Sequence, residues 1–454
     1  MQMKTKAPVI PTVLEGQLVR TIAPPFANDE PGVVFPHRTG ADAFKVTYDQ
    51  LSTGLLVLGG TGSGKSNNVY HRMIEHVCQN MGRHDVALIF DAKGVYYRQL
   101  VDSNYQGRIV LISSDPADSQ TCAHWNIFEE LLCQPREEIE VVAREFAMAL
   151  FAAEIKSHQP FFGLAAAAVF NFVLIALLRE ASTTGDYTRL DNKALILFFK
   201  HAASDINVYH DLLDKYPDFG FIRTYIGLRG QGMTNQALGV LGVLNSVIEQ
   251  VFFKSFAQSG RPFSMSRICK DRGAHPHGTV ILMRFVPRHK SALETVLSLL
   301  VSQFIKETLS RPDDAEGQTF TFLDEFSMLP FVSNIQEAAN YGRSKKLRLI
   351  LGLQSVSQLE AKYDKEATPI MAGLTNCIAF RCTDEESRSF VSKRFGASFE
   401  NYSFAGGNIQ HNTYAVSDSD QRNLKVGEAF IDLPNHEPFW FPFKEFEFKH
   451  VRSN

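Results

Sequence analysis

This sequence lacks paired cysteines, a strong net charge and an apolar N-terminus. Its six cysteines form no CxxC pair, which argues against common zinc and redox motifs and favours reduced thiols in a cytoplasmic protein. The formal net charge is only −3, so any contact with nucleic acid must come from local basic patches. There is no internal repeat, and no helix-turn-helix, zinc or RNA-binding signature predicts sequence-specific reading of bases.

Long apolar runs are also scarce. The first 25 residues contain none, so no signal peptide is predicted. Residues 161–178 form one run with a single strongly polar member, Asn171, and a membrane-spanning helix needs roughly 20 such residues. The run lies between two α/β segments, and the motifs described below place one half of a single predicted site in each segment. If the run crossed a membrane, those halves would lie on opposite sides of the bilayer. We therefore predict a buried helix, with a membrane span as the alternative.

The order of apolar segments predicts an α/β protein interrupted by helices. Short apolar runs next to glycine loops are typical of buried strands, and the spacing becomes helical from about Trp125 to Arg272. We predict an N-terminal extension with short strands (1–50), an α/β domain (51–124 and 273–454) and an all-α insertion (125–272). The Phe-rich tail is expected to close the core, with partner binding as the alternative. Predicted strands are Leu55–Leu58, Val86–Phe90, Ile109–Ile112, Thr279–Phe285, Phe320–Leu323, Leu347–Leu353, Cys377–Phe380, Glu428–Leu433 and Phe439–Phe448.

One glycine-rich segment, residues 59–66, fits the pattern GxxxxGK[ST] between a predicted strand and a predicted helix. Small residues let consecutive backbone N–H groups close around phosphate oxygens, and the helix directs its positive end at the same anion. Lys65 would reach the β- and γ-phosphates, and Ser66 would ligate Mg²⁺. The segment therefore predicts a site for a nucleoside triphosphate, with ATP·Mg²⁺ favoured. Its residues are Gly59, Gly60, Thr61, Gly62, Ser63, Gly64, Lys65 and Ser66.

The second half of such a site is a carboxylate at the end of a buried strand. Asp324 and Glu325 follow the apolar run Phe320–Leu323 directly. Asp324 would hold the magnesium through water, and Glu325 would act as general base or orienter of the attacking water. An adjacent Asp-Glu pair alone is usually a solvated turn. After an apolar strand, in a chain with a phosphate loop, the pair predicts hydrolysis.

Two further polar residues flank the next predicted strand, Leu347–Leu353. Gln354 follows it and would sense the γ-phosphate, with a capped strand end as the alternative. Arg343 precedes it in a basic turn. An arginine there would point into the site of a neighbouring subunit and stabilise transition-state charge, whereas the alternative is a solvated turn.

Together these segments resemble the TraG/TraD-like coupling ATPases of type IV secretion and conjugation. The resemblance covers about residues 50–435, and much of it is shared with the wider FtsK/HerA group of DNA pumps. The matching segments, beside the phosphate loop, are Phe90–Gly94, Trp125–Phe128, Phe322–Phe326, Ala338–Arg343 and Gln354–Ser355.

The resemblance implies a RecA-like P-loop NTPase fold with an inserted all-α domain that faces the cytoplasm. It implies a hexameric ring with ATP sites between subunits, which we expect to be monomeric when isolated. DNA-stimulated ATP hydrolysis would drive DNA, with any attached protein, toward a secretion channel, and relaxase and channel proteins would be partners. Arg343 matches the family's trans-acting arginine, and Gln354 matches its motif glutamine.

Family members usually begin with transmembrane helices, and none is predicted here. We expect a cytoplasmic protein that is peripheral to the inner face of the bacterial membrane through its partners. Among the local basic clusters, Arg284, Arg288 and Lys290 follow a predicted strand and are the first candidates for nonspecific DNA contact, with a solvated loop as the alternative. Two other functions stay open: a DNA pump in repair, segregation or defence, and an adaptor that docks effectors to a secretion system.

Overall fold

The computed structural model describes residues 11–12, 23–26, 29–40, 42–229, 232–329, 331–404 and 407–446. Within these residues the largest element is a sheet of nine strands. In chain order they are β1 (Leu55–Leu58), β2 (Val86–Asp91), β3 (Arg108–Ile112), β4 (Thr279–Arg284), β5 (Thr319–Leu323), β6 (Leu347–Leu353), β7 (Asn376–Phe380), β8 (Glu428–Asp432) and β9 (Phe439–Pro442).

The strands lie in the spatial order β9-β8-β7-β1-β6-β5-β2-β4-β3. The first seven in chain order pair in parallel, and β8 and β9 add antiparallel partners at one edge. Strand β6 therefore lies between β1, which leads into the phosphate loop, and β5, which leads into Asp324. The carboxyl ends of parallel strands meet at one edge, so this order gathers three polar chain segments there.

Alternation along the strands explains why both faces of the sheet are covered. In β1, Leu55 and Val57 belong to one apolar core, whereas Leu56 and Leu58 belong to another. Successive side chains of a strand point to opposite faces, so continuous apolar runs require packing on both sides. The helices of the α/β part are Tyr48–Leu51, His71–Gln79, Tyr96–Asp102, Lys290–Leu309, Ile335–Tyr341, Val356–Tyr363, Ala367–Gly373, Glu385–Arg394 and Asp418–Asn423, and a π-helical turn at Ser66–Tyr70 precedes His71–Gln79.

The predicted helical insertion is observed as a group of helices between β3 and β4. Its longest member, Pro160–Thr184, packs against Ile139–Leu150 and Asn235–Val251, and it ends at Gly185 in the left-handed conformation. Among the described residues it is the one helix long and apolar enough to cross a membrane, and 67% of its most apolar window is buried by protein. The other helices are Ile127–Leu132, Ala152–Ile155, Asn192–Ser204, Asn207–Lys215 and Met265–Lys270.

The hairpin near the start of the chain and the last strand, β9, meet on one face of the sheet. The hairpin Gly32–Pro36/Ala43–Thr47 packs its Phe44 ring 4.8 Å from the ring of Phe441 on β9. Phe439, Phe441 and Phe443 are buried there, so this part of the Phe-rich tail completes the core. Lys444 and Glu445 are exposed, and residues 447–454 lie outside the described part of the chain. A second hairpin, Ala397–Phe404/Gly407–Tyr414, pairs with Pro11–Thr12. All six cysteines are free thiols, as the sequence predicts.

Candidate nucleotide site

The loop between β1 and the π-helical turn has a backbone that only glycine adopts easily. Gly62 has φ +73° and Gly64 has φ +107°, both in the region that disfavours residues with a Cβ. A Cβ on Gly64 would also lie 2.6 Å from Asn68 Nδ2 and 3.0 Å from the backbone nitrogen of Gly427. The glycines therefore shape this loop, and we expect its N–H groups to form a phosphate cradle.

Lys65 folds back over this loop. Its ammonium donates hydrogen bonds to the carbonyl oxygens of Gly59 and Gly60, the latter at 3.3 Å, and the residue is only 5% exposed. Burial lowers the pKa of Lys65, while the nearby carboxylates of Glu325 and Asp324 act in the opposite direction. The buried ammonium of Lys65 is thus attracted by two carboxylates, and it would also attract phosphate oxygens of a bound nucleotide.

Asp324 and Glu325 lie at the carboxyl end of β5, as predicted, and are 2% and 4% exposed. Asp324 Oδ2 accepts a hydrogen bond of 2.8 Å from Ser66 Oγ, whereas its Oδ1 is buried with no hydrogen-bond partner among the described residues. Glu325 has φ +59°, a left-handed conformation that costs a non-glycine residue about 1–3 kcal/mol. Such strain clusters at functional sites because the surrounding structure must hold the side chain in place.

Gln354 bridges the two halves of the site. Its Nε2 donates to a carboxylate oxygen of Glu325, and its Oε1 accepts a 3.3 Å hydrogen bond from Thr61 Oγ1 of the phosphate loop. This bridge follows from the strand order, because β6 lies between β1 and β5. The amide thus contacts both the loop and the proposed general base.

Two residues that the sequence analysis gave no role, Lys93 and Tyr96, also reach this site. They follow β2, the neighbour of β5 on its other side. Lys93 Nζ lies 2.8 Å from Ser66 Oγ, and the phenol of Tyr96 donates a 2.7 Å hydrogen bond to Asp324 Oδ2. Burial, then Asp324, raises the pKa of Tyr96 well above its usual value, so the phenol stays protonated and remains a donor. Their position directly after a buried strand parallel to β5 was the signal that could have revealed them.

Arg343 lies far from these groups. It precedes β6, at the opposite end of the strand from Gln354, and it pairs with Asp49 at 3.5 Å. The Arg343 side chain is 65% exposed. The structure therefore places this arginine on the surface, away from its own phosphate loop.

The three residues expected to contact DNA are placed differently from one another. Arg284 binds both carboxylate oxygens of Asp118, at 2.9 and 2.8 Å, so it has an internal ion-pair partner. Arg288 is exposed in the turn after β4. The side chain of Lys290 lies outside the part of the chain that the structure describes.

The residues present fit a nucleoside triphosphate with Mg²⁺. A glycine cradle and a buried lysine suit phosphates, and the unpartnered Oδ1 of Asp324 beside the hydroxyl of Ser66 offers oxygen donors of the type that Mg²⁺ takes. The phosphate loop and the Asp324–Glu325 pair, predicted separately from the sequence, thus lie together in one site.

Comparisons with known proteins bear on the family and the fold of this chain. Residues 45–452 match the family model described as the type IV secretion-system coupling protein DNA-binding domain. The solved structure of the bacterial conjugative coupling protein TrwBdeltaN70 is 18% identical, with a TM-score of 0.70 and 98% of each chain covered. The plasmid coupling protein TrwB in complex with ADP and Mg²⁺ is 16% identical, with a TM-score of 0.70 over 99% of this chain and 98% of that chain.

A more distant fold match is VirB4 of Thermoanaerobacter pseudethanolicus, 12% identical with a TM-score of 0.52, covering 92% of this chain and 97% of that chain. No curated protein sequence matches the chain. The structural matches confirm the predicted fold, an α/β fold with a helical insertion. The family model spans nearly the whole chain, so the chain belongs to the family of type IV secretion-system coupling protein DNA-binding domains.

Proposed function

We propose that this protein is an ATP-hydrolysing motor that moves DNA, or DNA with attached protein, toward a type IV secretion channel. The observation that carries the proposal is the meeting of Lys65, Ser66, Asp324, Glu325 and Gln354 at one edge of the sheet. Membership of a family described as a coupling-protein DNA-binding domain supports the task, and the ADP and Mg²⁺ bound by TrwB support the cofactors.

Each residue at this edge has a defined part in hydrolysis. The N–H groups of the phosphate loop and the ammonium of Lys65 would bind phosphate oxygens. Ser66 and Asp324 would hold Mg²⁺, which neutralises phosphate charge when bound. Glu325, buried and fixed by Gln354, would orient the attacking water and accept its proton. Gln354 would transmit the state of the γ-phosphate from Thr61 to Glu325.

Arg343 would complete the site of a neighbouring subunit. Its surface position at the far end of β6 suits a role across an interface, and a head-to-tail interface that closes produces a ring. We propose that the protein is monomeric when isolated and forms a hexameric ring when it works. The ring would lie on the cytoplasmic side of the membrane, held there by relaxase and channel partners.

DNA would bind this ring without sequence preference, through phosphate contacts. Of the three predicted residues, Arg288 is both described and exposed, and we assign it first to this role. Arg284 would contribute by holding the strand end through Asp118 rather than by direct contact.

An ATPase assay with and without DNA tests the proposal. Wild type should hydrolyse ATP faster when DNA is added, and Lys65→Ala and Glu325→Gln should reduce the rate to background. The exposed residues Lys393 and Glu360 offer matched controls, because Lys393→Ala and Glu360→Gln make the same chemical changes on the helices Glu385–Arg394 and Val356–Tyr363. Wild-type activity that no nucleic acid alters would contradict the motor.

Other outcomes would point to the two alternative functions. ATP binding without hydrolysis by wild type would favour an adaptor that docks effectors. DNA-stimulated hydrolysis in a protein encoded apart from relaxase and channel genes would favour a DNA pump in repair, segregation or defence. The buried pairing of Glu325 with Gln354 favours hydrolysis over binding alone, because an adaptor needs no water-orienting carboxylate.

A further inference from the structure

We propose that Lys93 contacts the γ-phosphate of ATP and so distinguishes the triphosphate from the diphosphate. Lys93 lies in residues 91–96, here called the lysine loop, which connects β2 to the helix Tyr96–Asp102. This inference rests on the proposed function, because it requires that the phosphate loop bind ATP.

The base of the lysine loop is fixed. Asp91 is fully buried, and its carboxylate accepts hydrogen bonds from the backbone nitrogens of Val95, at 3.0 Å, and Tyr96, at 2.9 Å. These bonds satisfy N–H groups at the start of the helix. The phenol of Tyr96 then ties the same loop to Asp324. The loop is therefore anchored at both of its ends to the sheet edge that carries the site.

The tip of the loop turns the Lys93 side chain toward solvent. Gly94 has φ +71°, the left-handed conformation that makes the sharp turn after Lys93. The Lys93 side chain is half-exposed, at 50%, although its ammonium touches a buried part of the site. A long, flexible side chain on a fixed loop can redirect its charge without any movement of the backbone.

The ammonium of Lys93 lies where the hydrolytic groups converge. Its Nζ is 2.8 Å from Ser66 Oγ and 3.6 Å from Glu325 Oε1. Ser66 is a proposed metal ligand, and Glu325 is the proposed general base. Both groups belong to the reactive end of the site, so Lys93 faces the terminal phosphate.

Charge decides what Lys93 does when nucleotide is bound. Its ammonium and a divalent ion on Ser66 would repel each other, so Lys93 must leave the serine hydroxyl. The nearest new anion beside Glu325 is the γ-phosphate, which carries oxygen atoms that suit an ammonium donor. ADP lacks this phosphate, so with ADP the ammonium gains no phosphate partner. Lys93 therefore favours ATP over ADP.

Nucleotide affinity tests this directly, without turnover. Fluorescent ADP and a fluorescent imido analogue of ATP, each with Mg²⁺, are titrated into wild type, Lys93→Met and Lys93→Arg. We expect Lys93→Met to weaken binding of the ATP analogue at least about tenfold, as for loss of a hydrogen bond between charged groups. Binding of ADP should be unchanged or tighter, because the competing ammonium is gone. Lys93→Arg should keep most of the preference.

Controls separate the possible failures. Lys393→Met changes an exposed lysine on the helix Glu385–Arg394 and should alter neither affinity. Lys65→Ala should lose both nucleotides. An equal loss of both nucleotides in Lys93→Met, or no change in either, would overturn the role of Lys93 while leaving the proposed function intact. Failure of wild type to bind either nucleotide would overturn the proposed function itself.

Discussion

Mixing two inactive variants offers a sharp test of Arg343. Strand β6 has seven residues, and at roughly 3.3 Å per residue it separates its two ends by about 20 Å. Arg343 precedes the start of the strand and Gln354 follows its end. An arginine side chain is far shorter than that distance, so Arg343 cannot reach the nucleotide of its own subunit. If Arg343 acts on a nucleotide, that nucleotide must therefore belong to a neighbouring subunit.

We expect Arg343→Ala alone to lower the DNA-stimulated ATPase rate by about 10³-fold or more, as for other arginine fingers supplied in trans. Lys65→Ala alone should be inactive as well. In randomly mixed rings at equal ratio, half of the sites keep Lys65, and half of those face a subunit that keeps Arg343. About one quarter of the wild-type activity should therefore return if the sites act independently.

The assay is steady-state ATP hydrolysis with DNA, measured for each variant, for the mixture, and for a mixture containing the double variant. The double variant has neither residue, so it should restore no site when mixed with Lys65→Ala. Asp49→Ala, which removes only the exposed partner of Arg343, is the surface control and should stay active. A mixture as inactive as its components, or an active Arg343→Ala variant, would refute the trans role.

Three substitutions test the structural reasoning elsewhere. Gly64→Ala should abolish nucleotide binding in a fluorescence titration while the protein stays folded. The added Cβ would lie 2.6 Å from Asn68 Nδ2, on a backbone with positive φ, so the loop could not keep its shape. Retained affinity would show that the loop tolerates a Cβ. Phe441→Ala should cost about 3–5 kcal/mol of stability and lower the melting temperature, whereas Phe221→Ala, at an exposed ring, should change it little. Glu130→Ala should lower the melting temperature, since the buried side chain accepts hydrogen bonds from the Trp125 indole, the Ser264 hydroxyl and two backbone N–H groups. Each neutral donor left unsatisfied should cost about 1–3 kcal/mol, and an unchanged melting temperature would show that these donors find other partners.

The sequence predicted local features well because their signals are local. The bounds of β6 match the prediction residue for residue, since a largely apolar run, interrupted by Arg348, lies between a basic turn and a polar residue and is typical of a buried strand. The long insertion helix was predicted at 161–178 but extends to Thr184, where Gly185 ends it. That glycine is a helix-termination signal that the apolar run alone did not include.

Contacts between distant segments were the part that the sequence could not supply. Tyr96 contacts Asp324 at a sequence separation of 228, and Arg284 contacts Asp118 at a separation of 166. No periodicity or motif connects such pairs, because the order of strands in the sheet brings them together. Arg284 illustrates the consequence: as a sequence it belongs to a basic cluster, whereas in the fold its charge is matched by a carboxylate. Counting basic residues therefore overstates the charge available to DNA.

The two ends of strand β6 carry different residues of the proposed mechanism. Its carboxyl end carries Gln354, which touches both Thr61 and Glu325, and its amino end follows the turn that carries Arg343. The strand is buried along its whole length between β1 and β5, and close-packed interiors transmit displacement rather than absorb it. A displacement of β6 by the γ-phosphate would therefore also move the turn that holds Arg343. If Arg343 serves a neighbour, one rigid strand then links two consecutive nucleotide sites, and sequential hydrolysis around a ring requires such a link.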